Sequence, residues 1–80
     1  MTLFEWDKIK NESNTVKHGI SFEDAKRAFN DPDRIQYISM RGNEKRFITV
    51  GKVINFIITV VYTVRSNVLR LISARQVKVK

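Results

Sequence analysis

The spacing of the apolar residues changes near residue 33, and this change constrains the fold more than any other feature. Before it, apolar side chains recur at helical spacing; after it, they alternate with the period of two that strands require. Asp7 is placed to cap a helix running to about Lys17, with Ile9 and Val16 seven apart on one face. That helix is intrinsically weak, because Asn11, Ser13, Asn14 and Thr15 are poor helix formers. His18-Gly19 is a natural stop. Ser21 then caps a second start, with Asp24 three residues on and Ile20 before the cap as a staple. Phe22, Ala25, Ala28 and Phe29 share a helical face, and Asp31-Pro32-Asp33 ends it. Residues 3–6 form either a first strand or a packed arm.

The second part reads as a meander. Ile35 to Met40 is a strand and Arg41-Gly42-Asn43 a turn. Lys45 to Val50 is a second strand, broken at Gly51. Phe56 to Arg65 and Val68 to Arg75 flank a turn at Ser66-Asn67. The expectation is one α+β domain spanning residues 1–80, with two N-terminal helices packed on a four-stranded antiparallel sheet.

A two-residue turn sets Arg65 opposite Val68, and the pairs Val64–Leu69, Thr63–Arg70, Tyr62–Leu71, Val61–Ile72, Val60–Ser73, Thr59–Ala74 and Ile58–Arg75 follow. One face then collects Ile58, Val60, Tyr62, Val64, Leu69 and Leu71 and should carry the helices. Phe22, Ala25, Phe29, Phe47, Val60, Tyr62, Leu69 and Leu71 should line the core. The other face mixes Ile57, Val61 and Ile72 with Thr59, Thr63, Arg65 and Arg70. Such a face suits either phosphate binding or plain solvation. In this register Arg65 and Arg75 point to opposite faces unless a bulge intervenes.

Charge is unevenly distributed. Residues 1–40 hold six basic and seven acidic side chains; residues 41–80 hold nine basic and one acidic, Glu44. The net charge of +7 therefore comes from the second half, which points to a polyanionic partner such as nucleic acid, or otherwise to an acidic protein. Cysteine is absent and there is one histidine, so thiolate and multi-histidine metal sites are excluded, and no metal or cofactor is expected. The longest apolar run, Val53 to Val64, is interrupted by Asn55, Thr59 and Thr63 and is too short to span a bilayer. The N-terminus lacks the basic-then-apolar order of a signal peptide, so a cytoplasmic location without membrane contact is expected.

Several segments together resemble the BrnT family of type II toxins, which have the RelE-like fold. They are Phe4-Glu5-Trp6-Asp7; Lys17-His18-Gly19-Ile20-Ser21-Phe22-Glu23-Asp24-Ala25; Asp31-Pro32; Glu44-Lys45-Arg46-Phe47; Val61-Tyr62-Thr63-Val64-Arg65; and Arg70-Leu71-Ile72-Ser73-Ala74-Arg75. The resemblance implies a ribonuclease toxin that halts translation. It also implies a cognate BrnA-like antitoxin as partner, with DNA met only through that antitoxin. Val64 stands where family members often carry an acidic or aromatic residue. Members usually continue into a basic C-terminal helix, whereas this chain stops at Lys80, so that helix is expected to be missing or truncated.

Metal-independent RNA cleavage needs a base for the 2′-OH proton, cations for the charge growing on phosphorus, and an acid for the leaving 5′ oxygen. Arg46, Arg65 and Arg75 lie in the matching motifs and are candidates for the cationic role, for which the guanidinium fork is suited. Lys17, Lys45 and Arg70 are candidates for nucleic-acid binding. His18 is a candidate acid or base, although its place at a helix end also suits it to bind the last carbonyls. Tyr62 falls on the core face. Glu44 is either a base or the ion-pair partner that positions Arg46. The acid and base are thus unassigned from sequence. Three classes compete: a toxin endoribonuclease, an inactive RNA- or antitoxin-binding module lacking its C-terminal segment, and an interaction protein with an acidic partner.

Overall fold

The structure, a computed structural model, describes residues 2–77. Strand β1 (Leu3–Glu5) precedes helix α1 (Lys8–His18). Helix α2 (Phe22–Ala25) runs on into a 3-10 segment (Lys26–Asn30). Four longer strands follow: β2 (Ile35–Arg41), β3 (Glu44–Val53), β4 (Phe56–Arg65) and β5 (Val68–Gln76). The sheet order is β1-β5-β4-β3-β2. Strands β2 to β5 form the expected antiparallel meander, but β1 lies parallel to β5, pairing Leu3, Phe4 and Glu5 with Val68, Leu69 and Arg70. The expected four-stranded antiparallel sheet is therefore corrected to five mixed strands, the first of them before the helices. Aromatic burial explains why so short a segment joins: Phe4 meets Phe29 at 5.2 Å and Trp6 meets Phe22 edge-on at 6.0 Å. The end of the chain, on which the expectation of a missing or truncated C-terminal helix bears, lies outside the described residues.

Helix α1 is built at both ends as the sequence suggested. The Asp7 carboxylate accepts from the N–H groups of Ile9 (2.8 Å) and Lys10 (3.2 Å), and Gly19 closes the helix in the left-handed region at φ 72°. Its buried face is not the expected one. Ile9 and Val16 are 75% and 89% exposed, and the buried residue of the helix is Asn14. The Asn14 carboxamide donates to the carbonyls of Ala74 (2.8 Å) and Ile20 (3.0 Å) and accepts from the Ala74 N–H (3.1 Å). Strand β1 covers β5 only from Val68 to Arg70, so Asn14 takes the place of the missing neighbour farther along that edge.

Ser21 caps α2 by accepting from the Asp24 N–H at 3.1 Å. The α2 and 3-10 segment lies on one face of the sheet, with a core of Ile20, Phe22, Ala25, Ala28, Val53, Ile58, Val60, Tyr62, Leu71 and Ala74. Phe29, Phe47 and Leu69, expected inside, are half-buried at its margin. Tyr62 joins them: its ring lies 5.0 Å from Phe29 and 5.8 Å from Phe47, and its hydroxyl meets the buried Thr49 hydroxyl at 2.9 Å. Gly51 does not end its strand, contrary to expectation. β3 runs on to Val53, and glycine is needed because a Cβ there would sit 2.5 Å from the Ala28 carbonyl oxygen.

The β4–β5 turn has Ser66 and Asn67 at positive φ (51° and 66°), and the pairs from Arg65–Val68 to Tyr62–Leu71 are as expected. Beyond them the register shifts. Val61 opposes Ser73 rather than Ile72, Val60 opposes Ala74, Thr59 opposes Arg75 and Ile58 opposes Gln76. Ile72 is thus the extra residue of a β-bulge. The bulge turns Ala74 into the core and Arg75 out of it, correcting the expected placement of both.

Candidate functional site

The sheet face away from α2 gathers side chains from three adjacent strands. Odd-numbered residues of β4 point to it, so Thr59, Thr63 and Arg65 share it with Arg70 and Arg75 of β5. Arg46 of β3 opposes Ser39 of β2 on the same face. A cleft of about 450 Å³ opens here, lined by Arg46, Thr63, Arg65, Arg70 and Ile72 together with Lys10 of α1 and Glu44. Regular pairing explains the convergence: neighbouring strands stand about 4.8 Å apart, so three arginines on one face can surround a single anion.

The charges in the cleft are partly balanced. Arg46 is half-buried and donates from Nε to Glu44 Oε1 at 2.9 Å, which fixes the direction of its guanidinium. Arg70 lies 3.7 Å from Glu5 of β1, a looser and more exposed pair. Among the described residues Arg65 has no ion-pair partner within 4 Å, and it is free to meet a ligand. Lys45 touches the cleft wall, but its ammonium lies 5.8 Å over the Phe47 ring, on the helix-bearing side.

The other sequence-predicted residues form a second group. Lys17, His18 and Arg75, with Gln76, line a pocket of about 460 Å³ where the end of α1 meets the end of β5. His18 is therefore not beside Arg46, Arg65 and Arg70. The bulge at Ile72 keeps Arg75 on the same face as Arg65 and Arg70, so the two groups lie along one surface. Tyr62 is buried and hydrogen-bonded in the core. Sequence reasoning passed over Lys10 and Glu5. Lys10 was legible in principle, since it stands seven residues before Lys17 and so on the same helical face. Glu5 left no signal, because its pairing with Arg70 depends on β1 joining the sheet.

A small α+β domain whose open sheet face converges arginines from neighbouring strands has the chemistry to hold a polyanion. The family comparison is specific: residues 6–80 match the model of the BrnT toxin family, described as the ribonuclease toxin, BrnT, of a type II toxin-antitoxin system, and the chain belongs to that family. Membership implies a ribonuclease toxin with RNA as substrate and an antitoxin protein as partner. No curated protein matches the chain significantly.

Proposed function

We propose that this chain cleaves RNA at the arginine cleft by attack of the ribose 2′ oxygen on the adjacent phosphorus. The bond to the 5′ oxygen breaks, that oxygen takes up a proton from solvent water, and the product strand ends in a 2′,3′-cyclic phosphate. Arg46, Arg65 and Arg70 grip the scissile phosphate and stabilise the charge that grows on its oxygens. Glu44 is the carboxylate lining the cleft among the described residues. It holds Arg46 in place through one oxygen and accepts the 2′ proton through the other. Lys17, His18 and Arg75 bind the strand farther along, and Lys45 adds positive charge at the rim. A BrnA-like antitoxin neutralises the enzyme, whose cleavage of RNA in the cytoplasm halts translation.

The observation that carries this reading is the convergence of Arg46, Arg65 and Arg70 on one sheet face. Arg65→Ala should lower the cleavage rate at least tenfold, corresponding to about 1.4 kcal/mol of lost transition-state stabilisation. It should also flatten the salt dependence of RNA affinity, because one fewer phosphate is neutralised. Growth arrest on expression without antitoxin, and end-group analysis of the cut RNA, complete the test. Complete dependence of cleavage on a divalent cation would reject the mechanism. The separation of His18 from the arginine cleft favours a second reading, in which the chain binds RNA or antitoxin without cutting. Tight RNA binding with no cleavage and no growth arrest would establish that one.

A further inference from the structure

The two edges of the sheet are treated in opposite ways. At one edge β1 pairs with the start of β5, and the Asn14 carboxamide satisfies Ala74 farther on. At the other edge nothing lies beside β2 among the described residues. An unpaired strand normally carries some protection: shortness, lysine, proline or a bulge. β2 has seven residues in unbroken register with β3, and it contains no lysine, proline or bulge. Ile35 and Tyr37 are 62% and 50% exposed on the cleft side, and Ile38 and Met40 are 54% and 60% exposed on the helix-bearing side. The apolar surface continues inward from Ile38. A groove of about 370 Å³ runs over Phe47, Tyr62, Val64 and Leu69, where the α2 and 3-10 segment leaves the sheet uncovered.

We infer that β2 is the docking edge for the antitoxin. An extended, acidic segment of that protein adds as a sixth strand along β2, and its inward apolar side chains settle in the groove. The inference rests on the toxin–antitoxin reading of the family. Backbone hydrogen bonds from the edge supply affinity and the groove supplies selectivity. Charge selects the occupant. From Arg34 to Arg41 the chain has two cations and no acid, and the whole protein carries +7. A second copy paired antiparallel about the middle of β2 would bring Arg34 of each within a residue of the other's Arg41, setting like charges together at both ends. A segment with carboxylates flanking its apolar centre meets a cation at each end instead. The position also explains inhibition. Ser39 of β2 opposes Arg46 of β3, so an acidic side chain on the added strand lies about 10 Å from the Arg46 backbone, within reach of its guanidinium.

The test uses the chain alone and in complex with the coexpressed antitoxin of its operon. In the complex, outward-facing amides within Ile35–Arg41 should exchange at least tenfold more slowly than in the free chain. Ile38→Lys with Met40→Lys should weaken the complex at least tenfold and leave RNA cleavage unchanged; both positions are exposed, and a thermal melt confirms the fold. A complex in which β2 exchange is unaltered would overturn the inference while sparing the toxin–antitoxin reading. A free chain that sediments as a dimer with β2 already protected would give the edge to a second copy. Failure to form any complex would defeat the toxin–antitoxin reading itself.

Discussion

Asn14 offers the sharpest test of how this fold is held together. Truncation to alanine removes a carboxamide that serves three buried backbone groups: the Ala74 N–H, the Ala74 carbonyl and the Ile20 carbonyl. Each buried polar group left without a partner costs about 1–3 kcal/mol. A water entering the vacated space restores part of this, so the net loss should be about 3 kcal/mol. A domain of this size has about 4–12 kcal/mol of stability in all. With a urea dependence of about 1 kcal/mol per molar, the unfolding midpoint of Asn14→Ala should fall by about 3 M, and a marginal domain would be partly unfolded in water. Asn14→Asp should do no better, since it keeps the acceptor for Ala74 N–H but turns the donor into an oxygen facing two carbonyls. Val16→Ala is the control: at 89% exposure it should change stability by less than about 0.5 kcal/mol. If Asn14→Ala and Val16→Ala unfold at the same urea concentration, the role assigned to the carboxamide is wrong, and the amphipathic face of Ile9 and Val16 must be reconsidered.

Other substitutions probe the backbone and the surface. Ile54 opens the two-residue β3–β4 turn at φ 56°, a region that β-branched residues rarely occupy, so Ile54→Gly should stabilise the chain by about 1 kcal/mol in urea titration. Gly51→Ala should destabilise it by about 1–3 kcal/mol, because the new methyl meets the Ala28 carbonyl; an unchanged midpoint would show that the 3-10 segment yields freely. The Asp31 carboxyl is held below its ordinary value of 3.8, first by the Lys52 N–H and then by the Asp33 N–H, with the charges of Lys52 and Arg34 adding to the effect. The folded state therefore binds this proton less readily than the unfolded one. Its stabilising contribution is complete above pH 3.8 and vanishes as pH falls through the lower folded value. Asp31→Asn should accordingly be less stable than the parent at neutral pH, with the difference closing in strong acid; a gap independent of pH would contradict this assignment.

What the sequence determined by itself was local in origin. The helix starts at Asp7 and Ser21, the stop at Gly19 and the four long strands follow from capping chemistry and from the change of period, because those signals act over a few residues. The pairing next to the Ser66-Asn67 turn was legible for the same reason: a two-residue turn dictates register for as long as the strands stay regular. The positive charge of the second half and the arginine-bearing strands pointed to a polyanion before any geometry was known. Tertiary structure decided the rest. Whether Leu3–Glu5 becomes a strand depends on an edge of β5 some sixty residues away in the chain, and so does the burial of Asn14, a polar side chain taken inside because three backbone groups there need a partner. The bulge at Ile72 has no local marker, yet it reverses the face of Arg75 and aligns it with Arg65 and Arg70. Only the folded sheet could separate Lys17 and His18 from Arg46 and Arg65, because strands adjacent in space bring together residues whose distance in sequence carries no record of the contact.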